Sequence, residues 1–284
     1  MACAKYLLNI ILVFSLIIYG LVAYNRVEAG VVKAIHQPTK VIKNPTVDEK
    51  MFIVAVSNGD LQTAKEMLAN GVDVNARYPG FGVLLDTPLG VAIEKKDRAM
   101  QQLLLENHAD VSGYTEARLF NKVEHYSYFV CAAQAYDYDL MEFLLGWGAN
   151  VNDVSYETGD FSDRKNALIG AIRAQSLPRS KSEAQTLAHL EKMFDFLLSK
   201  GIDPNFVSNS RSALMEVVDM PHDDFCMRYV TPRTRRILYK KLLDAGADPN
   251  FKDNNGKTVL DYVLEERTHV ADVEAAKLIQ SYMN

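Results

Sequence analysis

The side chains best suited to acid–base or metal chemistry are scattered along this chain. None of its six histidines are paired as in H-E-x-x-H, the helical motif that binds zinc. The nearest approach to a metal cluster is His222-Asp223-Asp224, which a solvated loop beside a helix start explains more simply. An enzyme would need groups converging from the segments around His189 and His222, and the sequence has no G-x-S-x-G nucleophile turn. We therefore expect no catalytic residue, no metal site and no cofactor.

The three cysteines, Cys3, Cys131 and Cys226, form no C-x-x-C pair and show no metal-ligand spacing. Cys131 lies within an apolar run and is interpreted as a buried structural thiol. A disulfide between Cys131 and Cys226 is the alternative. It would require a long insertion to fold back over the rest of the chain.

The N-terminal segment is the most apolar part of the chain. Residues 7–24 carry no charge over eighteen residues, between Lys5 and Arg26. This length lies between a signal-peptide core and a membrane span, so residues 1–24 are expected to be a signal peptide or a single transmembrane anchor. A buried soluble helix is the third alternative. Residues 25–48 contain prolines and scattered lysines without a helical period, which is typical of a tether.

A nine-residue phrase recurs five times in the remainder, 49–284, and indicates a stacked-repeat architecture. Its copies are MLANGVDVN, LLENHADVS, LLGWGANVN, LLSKGIDPN and LLDAGADPN, with the glycine slot at 71, 108, 148, 201 and 246. That slot needs a left-handed backbone to end a helix, and His108 fills it in the second copy. The Asp or Asn two residues later is expected to bond its own turn.

Upstream of each phrase, a small residue such as Ala55, Ala92 or Ala132 occupies one fixed slot, and Thr87-Pro88-Leu89 opens the second copy. This pattern resembles the ankyrin repeat over about residues 50–280. The resemblance implies an all-α solenoid of about six helix-turn-helix units, preceded by the N-terminal apolar helix. Two insertions between paired helices, near 176–189 and at 220–236, account for the uneven spacing and are expected to form loops.

The resemblance also implies a concave groove for a protein partner, formed by the loop tips and first helices. The tips here are rich in aromatic residues, which tend to dominate interface energies. Tyr114, Phe120 and Tyr126 belong to this set, whereas Phe206 and Phe251 are expected to pack between repeats. Trp147, the sole tryptophan, occupies a slot that is normally exposed to solvent. The predicted partner-binding residues are Tyr78, Phe81, Trp147, Tyr156, Phe161, Arg164, Arg233 and Arg235.

These features predict a non-catalytic protein-binding module that is monomeric and lies at a membrane or in a bacterial periplasm. The net charge of −5 argues against nucleic acid as a partner. By analogy, the module is expected to act as an immunity-type inhibitor of a secreted effector, toxin or enzyme. A membrane-anchored scaffold, or an assistant of a periplasmic enzyme such as an antioxidant enzyme, is the alternative. The ankyrin domain is expected in the periplasm, either anchored or soluble after signal cleavage.

Overall fold

A computed structural model describes residues 46–76, 78–79, 84–119, 122–157, 160–174, 182–220, 222–223, 228–265 and 272–283. The predicted segments 1–24 and most of 25–48 lie outside these residues. Within the described ranges the helices form six consecutive pairs, which confirms the predicted number of repeats. They are α1 (Val47–Asn58), α2 (Leu61–Ala69), α3 (Pro88–Glu94), α4 (Arg98–Glu106), α5 (Tyr128–Gln134), α6 (Tyr138–Gly146), α7 (Ala167–Arg173), α8 (Glu183–Ser199), α9 (Ala213–Val218), α10 (Pro232–Asp244), α11 (Val259–Leu264) and α12 (Val273–Gln280).

Short polar side chains set where these helices begin. Thr87 caps α3 by accepting a bond from the Gly90 amide, and Pro88 follows at the first helical position. Second helices start in the same way on Asp60, Asp97 and Asp137, each of which accepts a bond from an amide three residues later. Because such caps satisfy amides that have no partner inside the helix, even helices of seven to nine residues have defined starts.

The recurring phrase ends each helix pair in the predicted way. All five slot residues have positive φ, from 68° at His108 to 93° at Gly148. The Asp or Asn two positions on accepts a bond from the amide two residues later, at 2.8 to 3.1 Å in all five copies. Both expectations are therefore confirmed.

The last residue of the phrase has a role that the sequence did not reveal. The Asn205 amide group donates to the Gly246 carbonyl at 2.9 Å and accepts from the Asp248 amide at 2.7 Å, so it joins repeat 4 to repeat 5. Asn75 and Asn152 make the same pair of bonds to the next repeat. The second phrase ends in Ser112, whose hydroxyl accepts a 3.4 Å bond from the Asn150 amide and also bonds the Asp153 side chain, but does not reproduce the pair of bonds that the Asn side chains make.

We expect Ser112→Asn to stabilise the stack, because the longer amide side chain can make both bonds at the junction of repeats 2 and 3. The expected rise in the free energy of unfolding is about 0.5–1.5 kcal/mol. Asn152→Ser is the reciprocal variant and should lower stability by a similar amount. Urea denaturation of both variants measures the effect. A loss of stability in Ser112→Asn would contradict the assigned role.

The two insertions are not purely loops, in contrast to the prediction. Residues from Glu183 onward and from Pro232 onward belong to α8 and α10, of 17 and 13 residues, whereas α2, α4 and α6 have nine. Ser182 and Thr231 cap the lengthened helices. Each insertion thus adds turns to the start of a second helix, because a cap residue and a good helix-forming run follow one another there.

The fold is mainly helical but not all-α, because the long connections pair as β-hairpins. One six-stranded antiparallel sheet has the order β1-β2-β3-β4-β5-β6, and two further hairpins, β7–β8 and β9–β10, are separate. The strands are β1 (Tyr78–Pro79), β2 (Leu84–Asp86), β3 (Tyr114–Leu119), β4 (Lys122–Ser127), β5 (Ser155–Glu157), β6 (Asp160–Lys165), β7 (Val207–Ser208), β8 (Arg211–Ser212), β9 (His222–Asp223) and β10 (Arg228–Tyr229).

The core lies between the helices of neighbouring repeats, where α1 packs on α3, α5 on α7, α7 on α9, and α9 on α11. Ala55, Ala92, Ala132 and Ala171 are buried on these helices, so the predicted small slot is confirmed for Ala55, Ala92 and Ala132. Gly113 lies where the Tyr128 ring packs beside α3. A Cβ atom there would stand 2.9 Å from both the Asp110 carbonyl oxygen and the Tyr128 ring.

We expect Gly113→Ala to lower the free energy of unfolding by about 1–3 kcal/mol, because the added methyl group meets backbone that cannot move aside. Gly146→Ala is the matched control. Its Cβ would meet nothing within 4 Å, and alanine favours the helix by up to about 1 kcal/mol. Thermal or urea denaturation compares the two. Equal stabilities would show that repeats 2 and 3 are not closely packed at Gly113.

Candidate functional site

The six-stranded sheet, hereafter the hairpin sheet, is built from the three connections that join repeat 1 to repeat 2, repeat 2 to repeat 3 and repeat 3 to repeat 4. The hairpin β3–β4 pairs along its full length, from Tyr114 with Ser127 to Leu119 with Lys122. Each outer hairpin pairs with β3–β4 over two residue pairs. Leu84 pairs with Ala117 on one side, and Tyr156 pairs with His125 on the other. Three separate loops therefore become one ordered surface.

A ring cluster stabilises one face of the hairpin sheet. His125 and Tyr156 stack at 4.4 Å between ring centroids, and Tyr114 packs edge-on against His125 at 4.6 Å. His125 and Tyr156 are only 6% and 7% exposed. Because these rings come from β3, β4 and β5, the cluster fixes the third hairpin against β3–β4.

The opposite face carries Thr115, Glu124 and Tyr126, since the residues paired across the strands share a side. All three are half-buried. The Tyr126 hydroxyl donates to the Glu124 carboxylate, which holds both side chains in place. An aromatic ring and a carboxylate are thus presented together on this face.

An ion network lies where the hairpin sheet meets α7 and α9. The Arg173 guanidinium donates to both carboxylate oxygens of Glu216, at 2.7 and 2.8 Å, and to Asp163 at 2.6 Å. Arg211 donates to Glu216 at 3.2 Å and to Asp219 at 2.5 Å. Glu216 is the buried centre of this network, with 7% of its surface exposed.

The network shifts the pKa values of Arg173 and Asp163. The hydrogen bond to Glu216 raises the pKa of the Arg173 guanidinium against the opposing effect of its burial. Burial acts to raise the pKa of Asp163, but the hydrogen bond from Arg173 and the charges of Lys165 and Arg173 outweigh it and hold that pKa below its usual range. Both shifts favour the charged forms of Arg173 and Asp163, which is what their mutual hydrogen bond requires.

The polar surface continues into repeat 6 through the Tyr262 ring, which lies 4.9 Å from the Arg211 guanidinium. The Tyr262 hydroxyl donates to the Asp253 carboxylate, which also accepts bonds from the amides of Asn255 and Lys257. Burial of Asp253 opposes its charge, but these bonds outweigh it and lower its pKa to about 2. Asp253 therefore fixes the turn that opens the last repeat.

This lowered pKa predicts a pH effect on folding. Because the carboxyl of an unfolded Asp titrates near pH 4, charged Asp253 contributes its full stability above about pH 4, and that contribution is lost as pH falls towards about 2. We expect the stability gap between the parent chain and Asp253→Asn to be largest at neutral pH and to close in acid. Urea midpoints measured across this range test it, and a constant gap would contradict it.

The predicted partner-binding residues do not converge on one place. The backbones of Tyr78 and Phe161 lie in β1 and β6, at opposite edges of the hairpin sheet, and Phe81 lies outside the described residues. Tyr156 lies within the buried ring cluster. The Arg164 guanidinium stands 5.8 Å from the Phe206 ring, and its Nε has no hydrogen-bond partner among the described residues.

The other three predicted residues belong to second helices. Trp147 ends α6, is 39% exposed and packs 6.4 Å from the Phe143 ring. Arg233 is exposed in the first turn of α10. Arg235 instead donates to the Met220 carbonyl at 2.8 Å and so links α10 to the end of the preceding helix.

Several residues of this surface were not anticipated from the sequence. The ion network joins Arg173 of α7, Arg211 of β8 and Glu216 of α9. Arg173 and Glu216 are 43 residues apart, so no local motif indicates that they pair. In the sequence, His125 is one of six scattered histidines. The local signal available for His125 is that it lies beside Tyr126 in a run typical of a strand, where neighbouring side chains point to opposite faces.

The remaining chemical predictions concern cysteines, metals and membranes. Cys131 is a free thiol, and burial raises its pKa to about 11, while Cys226 lies outside the described residues. In the described ranges no group of three His, Cys, Asp or Glu side chains is placed to hold a metal ion. No helix within those ranges is both long and apolar enough to span a membrane, and the predicted anchor lies outside them.

Comparisons with known proteins agree with the architecture. No protein-family model matches the sequence, and no curated protein matches it either. The structure is similar to an ankyrin repeat domain from Acinetobacter baumannii, with a TM-score of 0.53 and 21% identity over 81% of this chain and 96% of that one. It is also similar to another solved ankyrin repeat protein, with a TM-score of 0.53 and 20% identity over 84% of this chain and 100% of that one. The chain therefore has the ankyrin-repeat fold.

Proposed function

We propose that this chain is a non-catalytic protein-binding module whose partner docks across the hairpin sheet and the adjoining ends of the first helices. The observation that supports this most is the joining of three inter-repeat hairpins into one sheet. Independent loops would lose conformational freedom on binding, and that cost reduces affinity. Because these strands are already paired and the ring cluster lies beneath them, they lose little conformational entropy when a partner binds.

The chemistry of the sheet suggests how a partner would be held. Tyr126 offers a large ring with few rotatable bonds, and Glu124 beside it suits a partner's Lys, Arg or amide donor. Among the predicted residues, Tyr78, Phe81, Phe161 and Arg164 would contact the partner directly. Tyr156 would act from beneath by holding the strands together.

For the cellular role, we propose an immunity-type inhibitor that neutralises a secreted effector or an enzyme at a membrane or in the periplasm. The apolar run 7–24 supports that location. The alternative remains a membrane-anchored scaffold or an assistant of a periplasmic enzyme. These roles differ in what binding does to the partner: an inhibitor abolishes its activity, and an assistant preserves it.

Site-specific photocrosslinking in the cells that make the full-length protein tests the proposal. A photoreactive residue replaces Tyr126 on the hairpin sheet or, as a matched control in the same repeat, exposed Glu142 on α6. We expect one dominant crosslinked protein at the Tyr126 position and none at the Glu142 position. Crosslinks at Glu142 alone, or equal patterns at both positions, would show that the sheet is not the docking surface.

The captured partner then distinguishes the cellular roles. Its activity is measured with the purified full-length chain and with Arg164→Ala or Tyr126→Ala variants. Loss of partner activity that the variants relieve supports inhibition. Unchanged or increased activity favours the assistant or scaffold role.

A further inference from the structure

Two carboxylates, Asp110 and Asp153, interact where repeat 2 meets repeat 3. Asp110 belongs to the turn that follows α4, and Asp153 belongs to the turn that follows α6. The Ser112 hydroxyl accepts a hydrogen bond from the Asn150 amide at 3.4 Å and also donates one to the Asp153 carboxylate. Asp153 is therefore bonded across the junction of the two repeats. We refer to Asp110, Ser112 and Asp153 as the junction cluster.

The negative charge of Asp153 is poorly compensated. Its Oδ2 atom is buried and has no hydrogen-bond partner among the described residues. The charged group that acts on it within those residues is the like-charged Asp110. Burial raises the pKa of Asp153 to about 6; the bond from Ser112 opposes this rise, and the charge of Asp110 adds to it. Ionised Asp153 therefore destabilises the junction cluster relative to its neutral form.

The junction cluster lies at the start of two hairpins of the hairpin sheet. Ser112 precedes Tyr114, the first residue of β3, by two positions, and Asp153 precedes Ser155, the first residue of β5, by two positions. The Ser127 amide at the end of β4 donates to the Ser155 hydroxyl at 3.0 Å. Contacts at these strand ends therefore determine how the β5–β6 hairpin meets the β3–β4 hairpin.

The pairing between β4 and β5 is short and includes an unfavourable pair. It consists of two residue pairs, Glu124 with Glu157 and His125 with Tyr156. Like charges directly opposite each other on two strands are destabilising, whereas the His125 and Tyr156 rings stack. Because so short a pairing contributes little by itself, the β5–β6 hairpin depends on the contacts made where its first strand begins.

We propose that the junction cluster makes the order of the hairpin sheet depend on pH: a proton on Asp153 holds the β5–β6 hairpin more firmly against β3–β4. The proton removes the buried charge and its repulsion with Asp110. An unfolded Asp titrates near pH 4. The stability that protonation provides is therefore fully present below about pH 4 and is lost as pH rises through about 6. This inference concerns the sheet alone and does not depend on the function proposed above.

The first test is a titration of the full-length protein, followed by NMR of its carbon-13-labelled Asp carboxyl groups. The Asp153 signal is assigned by its loss in Asp153→Asn. We expect a midpoint of about 6 in the parent chain. Asp110→Asn should lower this midpoint because it removes a like charge, and Ser112→Ala should raise it because it removes a bond to the carboxylate. A parent midpoint near 4, or no response to Asp110→Asn, would overturn the proposal.

The second test asks whether this proton acts on the sheet, since Asp153 could titrate without affecting β5. Amide hydrogen exchange of β5 is compared between the parent and Asp153→Asn at the same pH, so that intrinsic exchange rates and titration of Glu124 and Glu157 affect both equally. Because the amide represents the neutral form, β5 should exchange about fivefold or more slowly in the variant at about pH 7.5. At about pH 5 the difference should fall below about twofold.

Glu142→Gln is the matched control, because it removes a carboxylate that is exposed on α6 of the same repeat. Its β5 exchange should stay within about twofold of the parent at both pH values, as expected for an exposed charge. Equal exchange of the parent and Asp153→Asn at about pH 7.5 would overturn the proposal, even with the predicted midpoint. A difference that persists unchanged at about pH 5, or an equal difference in Glu142→Gln, would also overturn it.

Discussion

Replacing Glu216 with Gln is expected to lower the free energy of unfolding by about 3 kcal/mol or more. Glu216 is 7% exposed and accepts hydrogen bonds from Arg173 and Arg211, which come from α7 and β8. An amide of the same shape removes the negative charge that both guanidiniums face. Among the described residues, Arg173 then retains only Asp163 as a charged partner, and part of its charge is left uncompensated in a partly buried position. Urea denaturation followed by circular dichroism measures the loss.

Asp219→Asn is the control for Glu216→Gln, because Asp219 also bonds Arg211 but its side chain is 65% exposed. Exposed ion pairs contribute at most about 1 kcal/mol, so this variant should remain close to the parent. The double variant Arg173→Met with Glu216→Leu should recover part of the stability, since removing both charges leaves fewer unpaired groups. Equal losses in Glu216→Gln and Asp219→Asn would show that burial of the network does not set its energy.

The helical part of the fold was predictable because its determinants are local. The glycine slot, the Asx turn that follows it and the Thr-Pro start each depend on residues within one turn of the chain, and they recur in several copies. Repetition made a weak local signal strong. The same locality explains why repeat number and register could be read through two insertions of different length.

The hairpin sheet was not predictable in the same way. Strand pairing depends on residues from distant connections, such as His125 with Tyr156, and no local pattern specifies which connections meet. The predicted loop tips were correctly identified as rich in aromatic residues, but Tyr156 proved to be buried in the ring cluster rather than exposed. Sequence identifies an aromatic residue, whereas its burial depends on the neighbouring strands.

The partners of the charged side chains were likewise not predictable from the sequence. Arg233 and Arg235 are two residues apart, and both are predicted from the sequence to bind the partner. On a helix, residues two apart face different directions, so Arg233 is exposed whereas Arg235 reaches back to the Met220 carbonyl. The distinction follows from helix geometry only after α10 is known to begin at Pro232.

Replacing Phe129 with Ala is expected to lower the free energy of unfolding by about 3–5 kcal/mol. Phe129 is 1% exposed on α5, where repeat 3 packs against α7 of repeat 4. Phe143→Ala is the matched control in the same repeat. Phe143 is half-buried on α6, and the Arg98 guanidinium carbon lies 4.0 Å from the centroid of its ring. Loss of the ring should cost about 1–2 kcal/mol.

The two phenylalanine variants should also differ in how the chain unfolds. Stability in stacked repeats is approximately a sum of repeat and nearest-neighbour terms, so a cavity beside α5, the helix through which repeat 3 packs on repeat 4, weakens the coupling between the two halves of the stack. We expect Phe129→Ala to broaden the urea transition and reduce its slope, while Phe143→Ala shifts the midpoint at constant slope. A sharp transition in Phe129→Ala would contradict this expectation. The inter-repeat Asn bonds and the Glu216 network would then be sufficient to keep all six repeats unfolding together.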